Sequence, residues 1–285
     1  MRILVTGSAG LIGREQTRAL RDAGHEVRTL DRVAQKKSEH GEHFVGDLRD
    51  LDIARRAVAG MDAVVHLGAI PNDRSGAADQ VLSINIQGTW NILLACVEAE
   101  VGRVVNFSSV NALGCVGERR TIDYLPINDA HRHNPMSPYQ ISKHSGEEMC
   151  AMFAARYGMV TISLRPGWVA TPENYKWIVN AEPGKNTAHG AAELWGYVDR
   201  RDVCEAARLA LTLENIQNDA FLLFAGDTNC KTPTQELLAT HYANTPAAQE
   251  NPGYFVTNPY RSLFDCSHAE TVLGWKPRHS WRDEG

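Results

Sequence analysis

Ile3-Leu4-Val5-Thr6-Gly7-Ser8-Ala9-Gly10-Leu11-Ile12-Gly13 lies almost at the start of the chain. A short β-branched run breaks into three glycines spaced Gly-x-x-Gly-x-x-Gly, then passes into a helical pattern from about Leu11 to Ala23 that Gly24 closes. Strand, glycine turn and helix, in that order, make a phosphate-binding loop. Backbone without a Cβ can approach a pyrophosphate closely, and the helix behind it offers free N–H groups and the positive end of its dipole. The stretch therefore predicts that Gly7, Ala9, Gly10, Leu11, Ile12 and Gly13 cradle a dinucleotide, and that the strand belongs to a parallel sheet.

Outward from that loop the pattern repeats. Strand-like runs at Glu26–Leu30, Glu42–Val45, Ala63–Leu67, Arg103–Phe107 and Val160–Leu164 alternate with helical stretches at about Leu51–Val58, Ala78–Ala99 and Pro138–Tyr157. This alternation predicts an α/β fold, a doubly wound parallel sheet with helices on both faces. After Leu164 the pattern breaks. Pro166, Gly167, Pro172, Pro183, Gly184 and Gly190 punctuate a segment that reads as loops. A helix at about Asp202–Leu213 and a strand at Ala220–Phe224 follow, with further helices near Pro233–Tyr242 and Ser267–Leu273. The predicted organisation is a cofactor core over residues 1–165, completed by about 197–225, plus a small discontinuous substrate lobe from about 166–196 and 226–285.

The 285 residues are 43% hydrophobic and 22% charged, enough apolar material for a large core. A net charge of -5 argues against a nucleic-acid partner. No apolar run reaches 18 residues, so no membrane span is predicted. The six cysteines are scattered without a Cys-x-x-Cys pair, and the chain enters its first strand with no room for a signal peptide; both point to reduced thiols in a cytoplasmic protein. His131 and His133 stand close in a polar loop, but lack further ligands at set spacing, and no metal is predicted.

Asp31 ends the second strand. A carboxylate there can take hydrogen bonds from both ribose hydroxyls and would repel a 2′-phosphate, which favours NAD over NADP. Arg32 beside it is the one feature pointing the other way, since a guanidinium can hold a 2′-phosphate. Asp47 has two readings: a contact to the adenine amino group, or the N-cap of the next helix.

Five motifs now stand in order: Gly7-x-x-Gly10-x-x-Gly13, His66-Leu67-Gly68-Ala69, Asn85-Ile86-Gln87-Gly88-Thr89, Phe107-Ser108-Ser109 and Tyr139-Gln140-Ile141-Ser142-Lys143. With Leu273-Gly274-Trp275-Lys276-Pro277 in the tail, the chain resembles the extended short-chain dehydrogenases/reductases, the NAD-dependent epimerase/dehydratase family. The resemblance implies a Rossmann core and a catalytic set of Ser109, Tyr139 and Lys143. It extends the cofactor site to Leu48, Leu67, Gly68, Ala69, Asn85, Ser108, Tyr139, Lys143, Pro166, Gly167 and Trp168, and implies a homodimer through the helices at 78–99 and 138–157. The residues support it independently: Tyr139 and Lys143 are four apart on a helix and share a face, and a nearby ammonium favours a phenolate able to act as general base.

Departures from the family pattern narrow the substrate. Dehydratases of this kind carry Asp-Glu after the catalytic serine; here Val110 and Asn111 stand there and cannot titrate, which argues against dehydration. Two arginines that hold a sugar-nucleotide diphosphate in the family align with Trp195 and with Asn251-Pro252-Gly253. The stretch Pro172-Glu173-Asn174-Tyr175-Lys176 resembles uronate dehydrogenases, in which an arginine at the position of Lys176 meets the substrate carboxylate. Ile70, Ser109, Val110, Asn111, Asn174 and Lys176 are the expected substrate contacts. The leading expectation is an NAD-dependent dehydrogenase of a small sugar or sugar acid. The alternatives are an NAD-dependent sugar-nucleotide 4-epimerase and a non-catalytic NAD-binding sensor.

Overall fold

β1 (Arg2–Thr6) is buried from Ile3 onward because it runs through the middle of a sheet, between β2 (Glu26–Asp31) and β4 (Ala63–His66). Ile3 faces Val27 on one side and Ala63 on the other. β3 (His43–Val45) extends the sheet beyond β2; β5 (Arg103–Phe107) and β6 (Val160–Pro166) extend it beyond β4, all in parallel register. β7 (Trp168–Ala170) and β8 (Tyr197–Asp199) form a separate parallel pair, and β9 (Asn218–Leu223) lies beside β6. The order β3-β2-β1-β4-β5-β6-β9 reverses direction between β1 and β4. Such a reversal opens a crevice outside the carboxyl ends of the strands, where ligands bind in this architecture. The computed structural model describes residues 1–34, 41–180, 184, 187–243 and 252–283. Pro183, Asn251 and the final Glu284-Gly285 lie outside the described residues.

The chain divides into two compact units. The first comprises Met1–Ser108, Ser137–Leu164 and Cys204–Ala220. Its helices are α1 (Leu11–Asp22), α2 (Leu51–Val58), α3 (Ala78–Leu82), α4 (Gly88–Glu98) and α5 (Pro138–Tyr157). Leu4, Leu30, Val64, Ile92, Leu93 and Phe153 are buried together beneath them, each such side chain contributing about 1.5–3 kcal/mol. α2 starts on Asp50, whose carboxylate accepts from the amides of Asp52 and Ile53. The N-cap reading of Asp47 is thereby corrected: the helix begins three residues later. α5 matches its expected span because its signals are local: Ser137 caps it, Pro138 occupies N1 and Gly158 closes it. The stretch Ala78–Ala99, expected as one helix, runs helical without a break from Ala78 to Glu98, with a π turn at Ser83–Gln87 inside it.

The second unit comprises Ser109–Met136, Arg165–Val203 and Phe221–Gly285. Ser109–Met136 falls in it because its backbone bonds run there, from Gly117 N to the Ala192 carbonyl and from Ile127 N to the Leu263 carbonyl, both 2.9 Å. Where loops alone were expected, residues 166–196 contain β7 and the eight-residue α6 (Pro172–Val179). Pro172 is the physical reason: it reads as a breaker but occupies the first turn, where its missing N–H costs nothing. α7 (Arg200–Ala210) leads back towards β9, and α8 (Thr234–His241) packs Leu237 and Leu238 beside Trp195 and Phe224. The tail is tied down by Asp202. Its carboxylate accepts from the amides of Arg278 and His279 and meets His279 Nδ1 at 2.7 Å, while its carbonyl accepts from Trp275 Nε1. All six cysteines are free thiols, and among the described residues no helix is long and apolar enough to cross a membrane.

One polar chain threads the first unit's core. Thr6 Oγ1 lies 2.8 Å from His66 Nδ1, His66 Nε2 lies 3.1 Å from Thr89 Oγ1, and the Thr89 hydroxyl donates to the Asn85 carbonyl at 2.7 Å. With Thr89 already donating to Asn85, Nε2 must carry the imidazole proton and Nδ1 must accept from Thr6. Burial, reinforced by the charge of Lys143, drives the His66 pKa down to about 3. The unfolded chain takes up a proton near pH 6.5 that the folded chain refuses, so stability falls as pH falls below 6.5, by up to about 1.4 kcal/mol per pH unit. Urea unfolding at pH 7.5 and 5.0 should show the parent protein losing about 2 kcal/mol more than His66→Asn. Equal losses would remove this role from His66.

Candidate cofactor and catalytic site

The glycine loop has the geometry of a phosphate cradle. Gly7 sits at φ +66°, a left-handed conformation that side chains resist, and a Cβ on Gly13 would lie 2.1 Å from the Gly7 carbonyl oxygen. The N-cap of α1 is Gly10, which has no side chain to cap the helix, so the first-turn amides remain available to an anion. Asp31, at the end of β2, is fastened to the loop: Oδ2 accepts from Ala9 N at 2.9 Å and Oδ1 from Val33 N at 3.0 Å. Arg32 is exposed beside it. These features fit a bound dinucleotide with its phosphates at the α1 N-terminus and a ribose near Asp31. Asp47 is held by Arg49, whose guanidinium meets both carboxylate oxygens at 2.6–3.2 Å and holds the carboxyl below its usual range. The Leu48 carbonyl accepts from Asn91 Nδ2.

Beyond β4, the amides of Leu67 and Gly68 donate to Thr6 Oγ1 at 3.2 and 3.1 Å, and Ala69 and Ile70 follow. Asn85, inside the π turn, grips Ile70 in both directions. Its Oδ1 accepts from Ile70 N at 2.8 Å, and its Nδ2 donates to the Ile70 carbonyl at 3.1 Å and to Ser142 Oγ at 3.0 Å. π turns recur at functional sites because the extra residue redirects a side chain.

α5 brings Tyr139 and Lys143 onto one face, with the Lys143 Nζ 5.8 Å from the Tyr139 ring centroid. Lys143 donates to the Phe107 carbonyl at 2.6 Å, at the carboxyl end of β5. Burial pulls its pKa down to about 8, while the carboxylate of Glu147 works in the opposite direction. Glu147, one turn further on, accepts from the Ser108 hydroxyl at 2.5 Å, and both residues are buried. Two contacts thus fasten α5 to the end of β5 within the first unit. Thr6, Ser142 and Glu147 are tied by hydrogen bonds or charge to the candidate site residues Leu67, Gly68, Asn85, Ser108 and Lys143, and were not among the expected site residues. Helical spacing from Lys143 would have revealed Glu147; Thr6 and Ser142 act through partners far away in sequence.

In the second unit, Ser109 is extended and caps the short turn Val110–Leu113, its Oγ accepting from Asn111 N at 3.2 Å and Asn111 Nδ2 at 3.3 Å. Val110 is buried. Pro166 ends β6, Gly167 N approaches the Leu223 carbonyl at 3.4 Å, and Trp168 opens β7 partly exposed. Arg165, just before them, pairs with Asp129 at 3.2 Å in a buried site where desolvation still raises the Asp129 pKa to about 6. Thr171 is the N-cap of α6, and Asn174 at N3 completes the capping box, its Oδ1 accepting from Thr171 N and Oγ1. Lys176 is exposed on the same helix. Trp195, at an aligned arginine position of the family, is fully buried and donates to the Thr187 carbonyl. His131 is structural here: its Nε2 accepts from Asp123 N.

The family described as NAD dependent epimerase/dehydratase matches residues 3–223. The uronate dehydrogenase of Pseudomonas syringae pv. tomato is 34% identical over 171 residues, covering 58% of this chain and 58% of that protein. A protein of Methanocaldococcus jannaschii described as a putative UDP-glucose 4-epimerase is 32% identical over 294 residues, covering 96% and 93%. The crystal structure of a short-chain dehydrogenase/reductase superfamily protein from Agrobacterium tumefaciens with bound NAD superposes with a TM-score of 0.73 at 23% identity, covering 100% of this chain and 94% of that one.

Gly13→Ala tests the cradle. Its methyl group meets the Gly7 oxygen head-on, so NAD affinity, followed by fluorescence titration, should fall more than tenfold, consistent with an overpacking cost of about 1–3 kcal/mol. Unchanged affinity would show that the loop does not hold the phosphates.

Proposed function

We propose, from the premise that this chain belongs to the NAD dependent epimerase/dehydratase family, that it oxidises a hydroxyl of a small sugar or sugar acid with NAD. The observation that carries the reading is Lys143, held on the Phe107 carbonyl one turn from Tyr139 with a pKa lowered to about 8. Bound NAD supplies the acceptor for the hydride that leaves the alcohol carbon. Tyr139 takes the hydroxyl proton. Its phenolate is favoured by the neighbouring ammonium, which is present below about pH 8 and fades above it. Ser109, the residue after Ser108 at the end of β5, is assigned by its sequence position to orient the reacting hydroxyl.

The second unit is read as the substrate lobe. A buried tryptophan at position 195 supplies no cation for a diphosphate, which favours a small substrate. Exposed Lys176 is assigned to a substrate carboxylate, with the 34% identity to a uronate dehydrogenase in support. Ile70, Val110 and Asn111 complete the assigned contacts. The near full-length similarity to a putative UDP-glucose 4-epimerase supports a second reading, in which Tyr139 works on a retained NAD without net NADH. A cytoplasmic setting, in keeping with six free thiols, is part of the proposal.

Incubation with NAD and a panel of free sugars, uronates and UDP-sugars separates the readings. NADH accumulation with a free sugar or uronate is expected, and epimer formation without NADH would replace it by the second reading. Tyr139→Phe should lower turnover by at least a thousandfold while NAD binding persists; retained turnover would remove Tyr139 as the base.

We also propose a homodimer through α4 and α5. Trp90 and Tyr157 are 41% and 45% exposed, and both adjoin Phe153, with ring centroids 5.3 Å apart in each pair. Sedimentation should show a dimer that Trp90→Lys converts to monomer. A parent protein that sediments as a monomer would contradict it.

A further inference from the structure

The first-turn amides of α5 donate to acceptors from two different parts of the chain. Ser137 Oγ accepts from Gln140 N at 3.3 Å, the ordinary N-cap contact. It leaves the amide of Tyr139, in the first turn, without an intrahelical acceptor. That amide donates to Asp73 Oδ1 at 2.8 Å, and the other oxygen of the same carboxylate accepts from the Ser137 hydroxyl at 2.6 Å. Asp73 stands 66 residues earlier in the chain, in the segment that follows β4. It brings a negative charge to the positive end of a 20-residue helix. The same segment is fastened at Ile70 by Asn85, which also holds Ser142 of α5.

We infer that Asp73 is a positioning residue that holds the backbone of Tyr139 in register with the segment following β4. The inference rests on the reading of Tyr139 as the general base. Asp73 is exposed and adds little to the core; its two bonds go to the catalytic residue's own amide and to that helix's cap. The segment carrying Ile70 and the helix carrying the base are thereby joined at two places, Ile70–Asn85–Ser142 and Asp73–Tyr139. A small displacement of a base relative to its substrate is enough to slow proton transfer.

The test compares Asp73→Ala with Ser137→Ala in NAD-saturated protein labelled with ¹⁵N-tyrosine. Asp73→Ala should speed hydrogen exchange at the Tyr139 amide at least tenfold. With D-glucuronate as the probe substrate, it should lower kcat about tenfold and leave KM within twofold. Ser137→Ala removes the cap but leaves the Tyr139–Asp73 bond, so it should lower Tm while keeping both the exchange rate and kcat within twofold. Asp73→Asn, which keeps one acceptor oxygen, should restore protection and most of kcat. Unchanged exchange in Asp73→Ala, or a loss of kcat no larger than in Ser137→Ala, would overturn the inference. If the parent enzyme makes no NADH from the probe, the substrate reading fails on its own, and amide exchange still decides whether Asp73 holds Tyr139.

Discussion

An ammonium group held against the end of a buried strand organises the site. Lys143 cannot be there without a partner, because desolvation of a charged amine is costly. The structure provides the Phe107 carbonyl at 2.6 Å and the carboxylate of Glu147 one helical turn away. Both partners are fixed by the sheet: Phe107 ends β5, and Glu147 takes the hydroxyl of the next residue, Ser108. A positive charge secured in this way sets the electrostatic environment of Tyr139. The rest of the first unit can be understood as keeping that arrangement in place.

Three side chains do much of that work without touching any reacting atom. Thr6 takes the amides of Leu67 and Gly68 and, through His66 and Thr89, reaches the carbonyl of Asn85. Asn85 joins Ile70 to Ser142, and Asp73 joins the segment after β4 to the first turn of α5. The carboxyl ends of β1 and β4, where the strand order reverses, are therefore bonded to the helix that carries the proposed base. Preorganisation of this kind is inexpensive in a parallel sheet, because neighbouring strand ends already lie side by side.

What could be read from the sequence was local. The glycine loop, the positions of all seven strands of the large sheet, the limits of α5 and the pairing of Tyr139 with Lys143 all follow from signals within a few residues of one another, whereas β7 and β8 of the separate pair do not. Pro172 misled because proline both stops and starts helices, and only the Thr171–Asn174 cap shows which it does here. The π turn at Ser83–Gln87 carries no composition signal within an apolar helical stretch. Asp47 and Asp50 are equally good caps by residue type, and backbone geometry decides for Asp50. Asp73 was invisible for a different reason: its partners lie 64 and 66 residues away, and a lone aspartate in a polar loop announces nothing.

In the proposed reaction the hydride lost by the substrate would accumulate as NADH. This is tested most directly with D-glucuronate deuterated at C1, mixed with NAD and the purified chain, following NADH by absorbance and its isotope content by mass spectrometry. Accumulating NADH that carries the deuterium, in proportion to sugar consumed and lost in Tyr139→Phe, is the expected result. Interconversion of UDP-glucose and UDP-galactose with no accumulating NADH, and no label transfer from any free sugar, would contradict it.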